Sequence, residues 1–468
     1  VSPVWRNHTG NQSHAVVEER SPETLEELCE LVREAEDRGL AVRAVGAGHA
    51  WSDVALTDGI VVRPDRMGGI VEQLGPALVR VKGGTHLRDL NAALRERGLA
   101  LPNMGGYDAQ TIAGVVSTST HGSGLRFGPF SDMVRSLDLV VSGGKVVRVE
   151  PATGGPTAPG GFGAGELIQD DATFRAAICG MGTLGVVWAL AIEVREAFWL
   201  QERREVVGWE AIRDTVTIDG VLAEHGHYEL FLNPYKNKSD GTHHVLVTTR
   251  IDTERPPGGA SPGRGLQHPL TELAAGSKLT GWMLRWLARH RPGCIARRFD
   301  ATLDDMQDPS YTSISYMVFN IGEANKLPAY SMELGVSLED DRHLECVDRI
   351  LAIAARQAHD GVFHTSPIAL RFVAPSRAYL SMMADRPTMM IELIMVVDSH
   401  RGEELLAAYE SELADLDVRP HWGQINALTP QRARELYPHF DAWLAVEHRL
   451  NASGVFDAPF TRRLGISG

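Results

Sequence analysis

The order of apolar and polar positions divides the chain into two styles. Up to about residue 198, short apolar runs alternate with helical spacings and repeatedly end in glycine. Leu25, Leu28, Cys29, Val32 and Ala35 lie at helical spacing. They follow Ser21-Pro22, a capping hydroxyl and a proline suited to the first helical position, and Gly39 closes the run. Residues 41–45 alternate as a strand and lead into Gly46-Ala47-Gly48-His49. Residues 60–62, halted by Pro64, and 78–81 read as further strands, and Leu87, Leu90, Ala93 and Leu94 mark a helix that Gly98 ends. Residues 137–141 and 146–149 predict a hairpin across Gly143-Gly144. This β-then-α order is an α/β pattern.

From about Trp199 the glycine loops stop. Residues 228–234, 243–249, 313–319, 368–373 and 389–397 read as strands of a mainly antiparallel sheet. Residues 403–416 form an amphipathic helix with Leu405, Leu406, Tyr409, Leu413 and Leu416 inward, and Thr429-Pro430 caps a helix expected to reach Trp443. Two Pro/Gly-rich stretches, 151–165 and 255–265, are loops. At 468 residues the chain exceeds one ordinary core, so two domains are expected, with an α+β fold overall.

Three stretches bring backbone close to something other than protein. In Gly46-Ala47-Gly48 two glycines allow a sharp turn that leaves amides uncovered, a nest able to hold a diphosphate. Residues 101–124 are small and hydroxylated, with no long helical face and no clean strand, and suit a close sleeve around a flat ligand. Residues 176–194 give a short helix, a glycine-spaced turn and an apolar strand.

Charge and composition narrow the classes. A net charge of −14 argues against nucleic acid and against docking on an anionic membrane. No apolar run approaches the ~18 residues of a span, and no basic-then-apolar leader opens the chain, so a cytoplasmic location is expected. Cys29, Cys179, Cys294 and Cys346 lack CxxC spacing and read as reduced, mostly buried thiols; no histidine pair has metal-ligand spacing.

Together, GAGH at 46–49, QTIAGVVSTSTHGSG at 110–124, GTLGV at 182–186, ELFLNPYKNK at 229–238 and RPHWG at 419–423 resemble the FAD-dependent oxidases with the vanillyl-alcohol-oxidase (PCMH-type) fold. The resemblance is to their sugar branch, the L-gulonolactone, D-arabinono-lactone and alditol oxidases. It implies a PCMH-type FAD-binding domain from 1–198 and 419–468, with a central cap domain over 199–418. It further implies that Gly46, Ala47, Gly48, His49 and Ala50 hold the FAD diphosphate. Gln110, Thr111, Gly114, Ser117, Thr120, His121 and Gly122 would line the flavin, and Gly182, Gly185 and Val187 the adenosine half. His49 matches the histidine that many relatives bond to the flavin 8α-methyl; an unlinked histidine is the alternative.

The implied reaction moves a hydride from a carbinol carbon to flavin N5, with O2 then reduced to hydrogen peroxide. The implied partners are a small hydroxylated substrate and O2, in a monomer or small homo-oligomer. In the sugar branch an E-x-R pair and the lysine of HWxK face the substrate. Here Arg371 stands with Ala369 in the glutamate position, and Gln424 replaces the lysine. A buried guanidinium without a carboxylate is costly. Glu392, in the apolar strand at 389–395, is the candidate replacement, against the alternative that it faces solvent. His421 is expected near the ring. The two departures leave open a larger substrate (a nucleoside or glycosylated metabolite), a dehydrogenase using another acceptor, or a flavoprotein without turnover.

Overall fold

A computed structural model describes residues 3–157, 162–163, 165–261, 278–321 and 328–467. Its N-terminal region contains a parallel three-stranded sheet in the order Glu18–Arg20, Ile60–Val62, Val42–Ala44. Leu28, Val32 and Ala35 of the helix Leu25–Asp37 share a core with Val42, Ile60 and Val62. The helix starts three residues later than Ser21-Pro22 predicts. Thr24 is its N-cap and accepts from the Glu27 amide, while the Glu27 carboxylate takes the Glu23 amide. Ser21 has no acid three residues on, so this reciprocal arrangement favours Thr24.

A six-stranded sheet follows in the order Glu166–Gln169, Lys145–Glu150, Val134–Val141, Val186–Glu193, Leu78–Lys82, Ile70–Gly75. The C-terminal helices Pro430–Leu436 and Phe440–Leu450 complete its core. Leu436, Phe440 and Trp443 cluster with Leu90, Leu137 and Ile178, and Trp443 Nε1 donates to the Cys179 carbonyl at 3.2 Å. The Val42 amide bonds the Val455 carbonyl at 2.7 Å, and Arg463 grips Asp53 through two bonds of 2.7 and 2.8 Å. The single helix expected from Thr429 to Trp443 is broken at Pro438, which has no amide to continue the ladder.

Strands drawn from the described residues between 199 and 420 form an eight-stranded, wholly antiparallel sheet. Its order is Asp308–Ile314, Trp199–Gly208, His244–Thr253, His227–Leu232, Ile368–Val373, Thr388–Val396, Ala329–Ser337, Arg419–Pro420. The pattern above missed Trp199–Gly208 and Ala329–Ser337. The expected strand at 313–319 ends at Ile314, because its partner strand begins at Trp199; Ser315–Phe319 then coils as a helical turn. One face of the sheet is apolar and packs Leu230, Leu370, Ile391 and Leu334 against Val347 and Ile350 of the helix Arg342–His359. Each such buried aliphatic contributes about 1.5–3 kcal/mol. The opposite face is not apolar, and it builds the site.

Candidate active site

Alternation along strands places every second residue on one sheet face, and register aligns those residues between strands. Glu333 pairs with Glu392, Glu392 with Ala369, Arg371 with Glu229, and Arg250 with both His227 and Glu202. The result is a belt of charge across a buried surface. Arg371 Nη1 donates to Glu392 Oε2 at 2.6 Å, and its Nε donates to Glu229 Oε1 at 2.9 Å. Arg250 bonds Glu202 at 2.8 Å and Glu229 at 3.2 Å, and Arg204 lies 3.0 Å from Glu202. With alanine at 369, the Arg371 guanidinium is thus paired by two other carboxylates, Glu392 and Glu229.

Charge pairing outweighs burial at these groups. Burial alone would raise the Glu229 pKa, yet Arg371 and Arg250 bring it down to about 2. Burial would lower the Arg371 pKa, but Glu392, Glu229 and Glu333 raise it above the usual guanidinium range. Arg371, Arg250 and Glu229 line a small cleft whose other walls include Gly106, Gly122 and Phe319.

Beside the belt stands a second polar group. Gln424 Nε2 donates to Glu333 Oε2 at 3.1 Å and Gln424 Oε1 accepts from Ser331, which also donates to Glu392 at 3.2 Å. Glu333 Oε1 lies 3.3 Å from His121 Nε2, and His121 Nδ1 donates to the Gly122 carbonyl at 2.8 Å. Burial would raise the Glu333 pKa; the neighbouring His121 and His421 rings and the Arg371 guanidinium hold it well below the usual carboxylate range. His421 is buried, which pushes its pKa down to about 4, and its Nδ1 accepts the Gly423 amide at 3.0 Å. Its ring centre is 6.3 Å from that of His121.

The glycine stretches converge on the same region. No backbone amide from Gly46 to Ala50 donates a hydrogen bond to any described residue, so five consecutive donors are uncovered. Gly48 has φ +65°, and a Cβ on Gly46 would sit 2.2 Å from Thr111 Oγ1, so the first stretch touches the second. Thr111 itself caps the short helix Ile112–Ser117 by accepting from Gly114. Ser117 and the turn before Gly182 are joined by the Met181 amide, and Gly182 accepts from Arg43 of the strand that precedes Gly46. Gly185 has φ +140° under the Val140 carbonyl, while Val187 approaches Gly83. Thr120 bonds Thr118, and the Gln110 side chain is half-buried. The Trp51 amide bonds Gly423, bringing the His421 loop against the first turn. His49 sits among His8, Trp51 and Tyr107, with ring centres 4.5–4.8 Å away; burial and then His8 lower its pKa to about 4. A row of free amides flanked by glycines and aromatic rings fits the diphosphate and ring of a flavin dinucleotide.

Comparison with known proteins agrees with this arrangement. Residues 19–150 match the family described as FAD binding domain, and residues 190–464 match D-arabinono-1,4-lactone oxidase. The chain belongs to the D-arabinono-1,4-lactone oxidase family. It is 30% identical to an L-gulono-1,4-lactone dehydrogenase of Mycobacterium tuberculosis and 27% identical to an alditol oxidase of a Streptomyces species, each over 99% of both chains. Cholesterol oxidase from B. sterolicum superposes with a TM-score of 0.79 over 98% of this chain and 96% of its own, at 15% identity, which is a likeness of fold. The family makes the protein an FAD-dependent oxidoreductase of CH–OH groups.

Sequence reasoning did not assign Glu229, Arg250, Glu202 or Glu333. Glu229 opens the ELFLNPYKNK stretch at 229–238. Glu333 had a usable signal, since Tyr330, Met332, Leu334 and Val336 alternate with Ser331 and Glu333.

Proposed function

We propose that the protein oxidises a secondary or primary alcohol of a polyhydroxylated compound, a polyol or sugar lactone, with O2 as final acceptor and hydrogen peroxide as product. The observation that carries this reading is Arg371, clamped by Glu229 and Glu392 in the pocket wall; Tyr107, which follows Gly106 of that wall, packs on His49 of the stretch with uncovered amides. Bound FAD supplies the two-electron acceptor. The chain's own groups hold the alcohol. Arg371 and Arg250 donate to hydroxyl oxygens, and Glu229 accepts from hydroxyl protons, its charge already fixed by two guanidiniums. Each substrate hydroxyl buried here needs such a partner.

His121 has Nδ1 committed to the Gly122 carbonyl and Nε2 turned towards Glu333 at 3.3 Å, which fixes the ring's orientation at the pocket edge. The positive charge at the pocket wall is that of Arg371 and Arg250, which would favour negative charge on a reduced cofactor bound there. Neutral His421 keeps its Nε2–H available as a donor. His49, neutral at pH 7, is in the protonation state that can form a carbon–nitrogen bond, which supports a single covalent tether to the cofactor.

A peroxide-coupled screen of polyols, sugar lactones, nucleosides and simple alcohols tests the substrate class. Turnover confined to simple or long-chain alcohols contradicts it. The relative named a dehydrogenase favours a second reading, in which electrons pass to a carrier. Flavin that bleaches with substrate anaerobically but recolours slowly in air, and quickly with an artificial acceptor, selects that reading.

A further inference from the structure

Among the described residues eight large apolar side chains are well exposed, and three of them share one helix. Trp282, Met283 and Trp286 of the helix Lys278–His290 are 64%, 50% and 46% exposed. Trp282 and Trp286 are four residues apart, so their rings stand on one face, one turn apart. The helix is firmly seated by its other side. Ala288 is buried, its carbonyl accepts the His400 amide at 3.0 Å, and Arg285 is paired with Asp398. The tryptophans are therefore presented outward by an anchored element.

The charge around them is the reverse of the protein's. Between residues 278 and 299 there is no Asp or Glu, but Lys278, Arg285, Arg289, Arg291, Arg297 and Arg298 are present, in a chain of net charge −14. Arg289, Arg291 and Arg298 are exposed and form no ion pair among the described residues. Whole-chain charge is no guide to a face this polarised. Tryptophan with flanking Lys and Arg is the composition that settles at the headgroup level of a bilayer: the indole partitions into the interface and the cations meet lipid phosphates. No described helix is long and apolar enough to cross a membrane, so the contact is one of lying on the surface.

We propose that the helix Lys278–His290 docks the enzyme on an anionic lipid surface, with Trp282 and Trp286 inserted among the headgroups and Arg289, Arg291 and Arg298 against their phosphates. This stands apart from the substrate assignment, because none of these residues lines the pocket.

The test is co-sedimentation of the FAD-loaded full chain with vesicles of phosphatidylcholine, with and without phosphatidylglycerol. Binding is expected only with the anionic lipid, and to weaken as salt rises. Brominated lipid should quench part of the tryptophan fluorescence. Trp282→Ser/Trp286→Ser should weaken partitioning by roughly tenfold or more, the equivalent of burying one aromatic side chain, with flavin absorbance and turnover of a soluble substrate unchanged. Arg289→Glu/Arg291→Glu should do the same. No sedimentation and no quenching of the unaltered protein would overturn the proposal. So would unaltered binding by the tryptophan variant, or a change in that variant's size on gel filtration, which would make the face a contact between copies.

Discussion

At the scale of single residues, Arg371 is the most constrained group in the site. Removing either carboxylate leaves a buried cation half paired, which costs more than the pair is worth. Glu392→Gln is expected to lower kcat/KM by about tenfold and Glu229→Gln by about a hundredfold, since Glu229 holds two guanidiniums. The double variant should fall short of the product, because both losses act through Arg371. Unchanged turnover and pH profile in Glu392→Gln would remove it from the site. His49→Ala tests a separate link: acid precipitation should release FAD from the variant and leave the parent protein yellow.

At the scale of elements, the cradle depends on backbone approaching backbone. Gly46→Ala puts a methyl carbon into Thr111 Oγ1, so the turn and the cap of Ile112–Ser117 must separate. FAD should be retained poorly, by at least tenfold in dissociation constant, with far smaller change in the circular dichroism of the cap sheet. The glycine stretches were legible because their chemistry is carried by the chain itself, and glycine announces it. The sheet's charged face was less so. A strand such as Ala329–Ser337, polar on alternate residues, looks like one wetted on that side; here both sides are buried. Only strand order, which brings Thr388–Val396 and Ile368–Val373 beside it, turns isolated Glu333, Glu392 and Arg371 into one network. The break at Pro438 is legible in the sequence, whereas Thr429-Pro430 signals a start and says nothing of length.

At the scale of the whole molecule, pH acts through groups far from the pocket as well. Glu447 is buried beside Asn451 and Asp457, and burial raises its pKa to about 7. A raised carboxylate pKa means the folded state binds a proton between about 4.5 and 7 that the unfolded state gives up, so its stability contribution is full below about 4.5 and is lost as pH rises through 7. Glu447→Gln should therefore raise stability at pH 8 by on the order of 2 kcal/mol and change little at pH 4.5, read by denaturant melts. Glu229 runs the other way: its pKa is depressed, so its contribution is full above about 4.5 and fades as pH falls towards 2.

The first and last stretches of the sequence are stitched together, Val42 to Val455 and Asp53 to Arg463, around an interior to which Phe440 and Trp443 contribute. A ribosome delivers the nucleotide cradle well before these closing helices. The nascent cradle must wait through more than two hundred intervening residues with Leu90, Leu137 and Ile178 uncovered. Chaperone demand during synthesis should thus fall on the cradle region, and cofactor capture should come only after the closing helices have emerged.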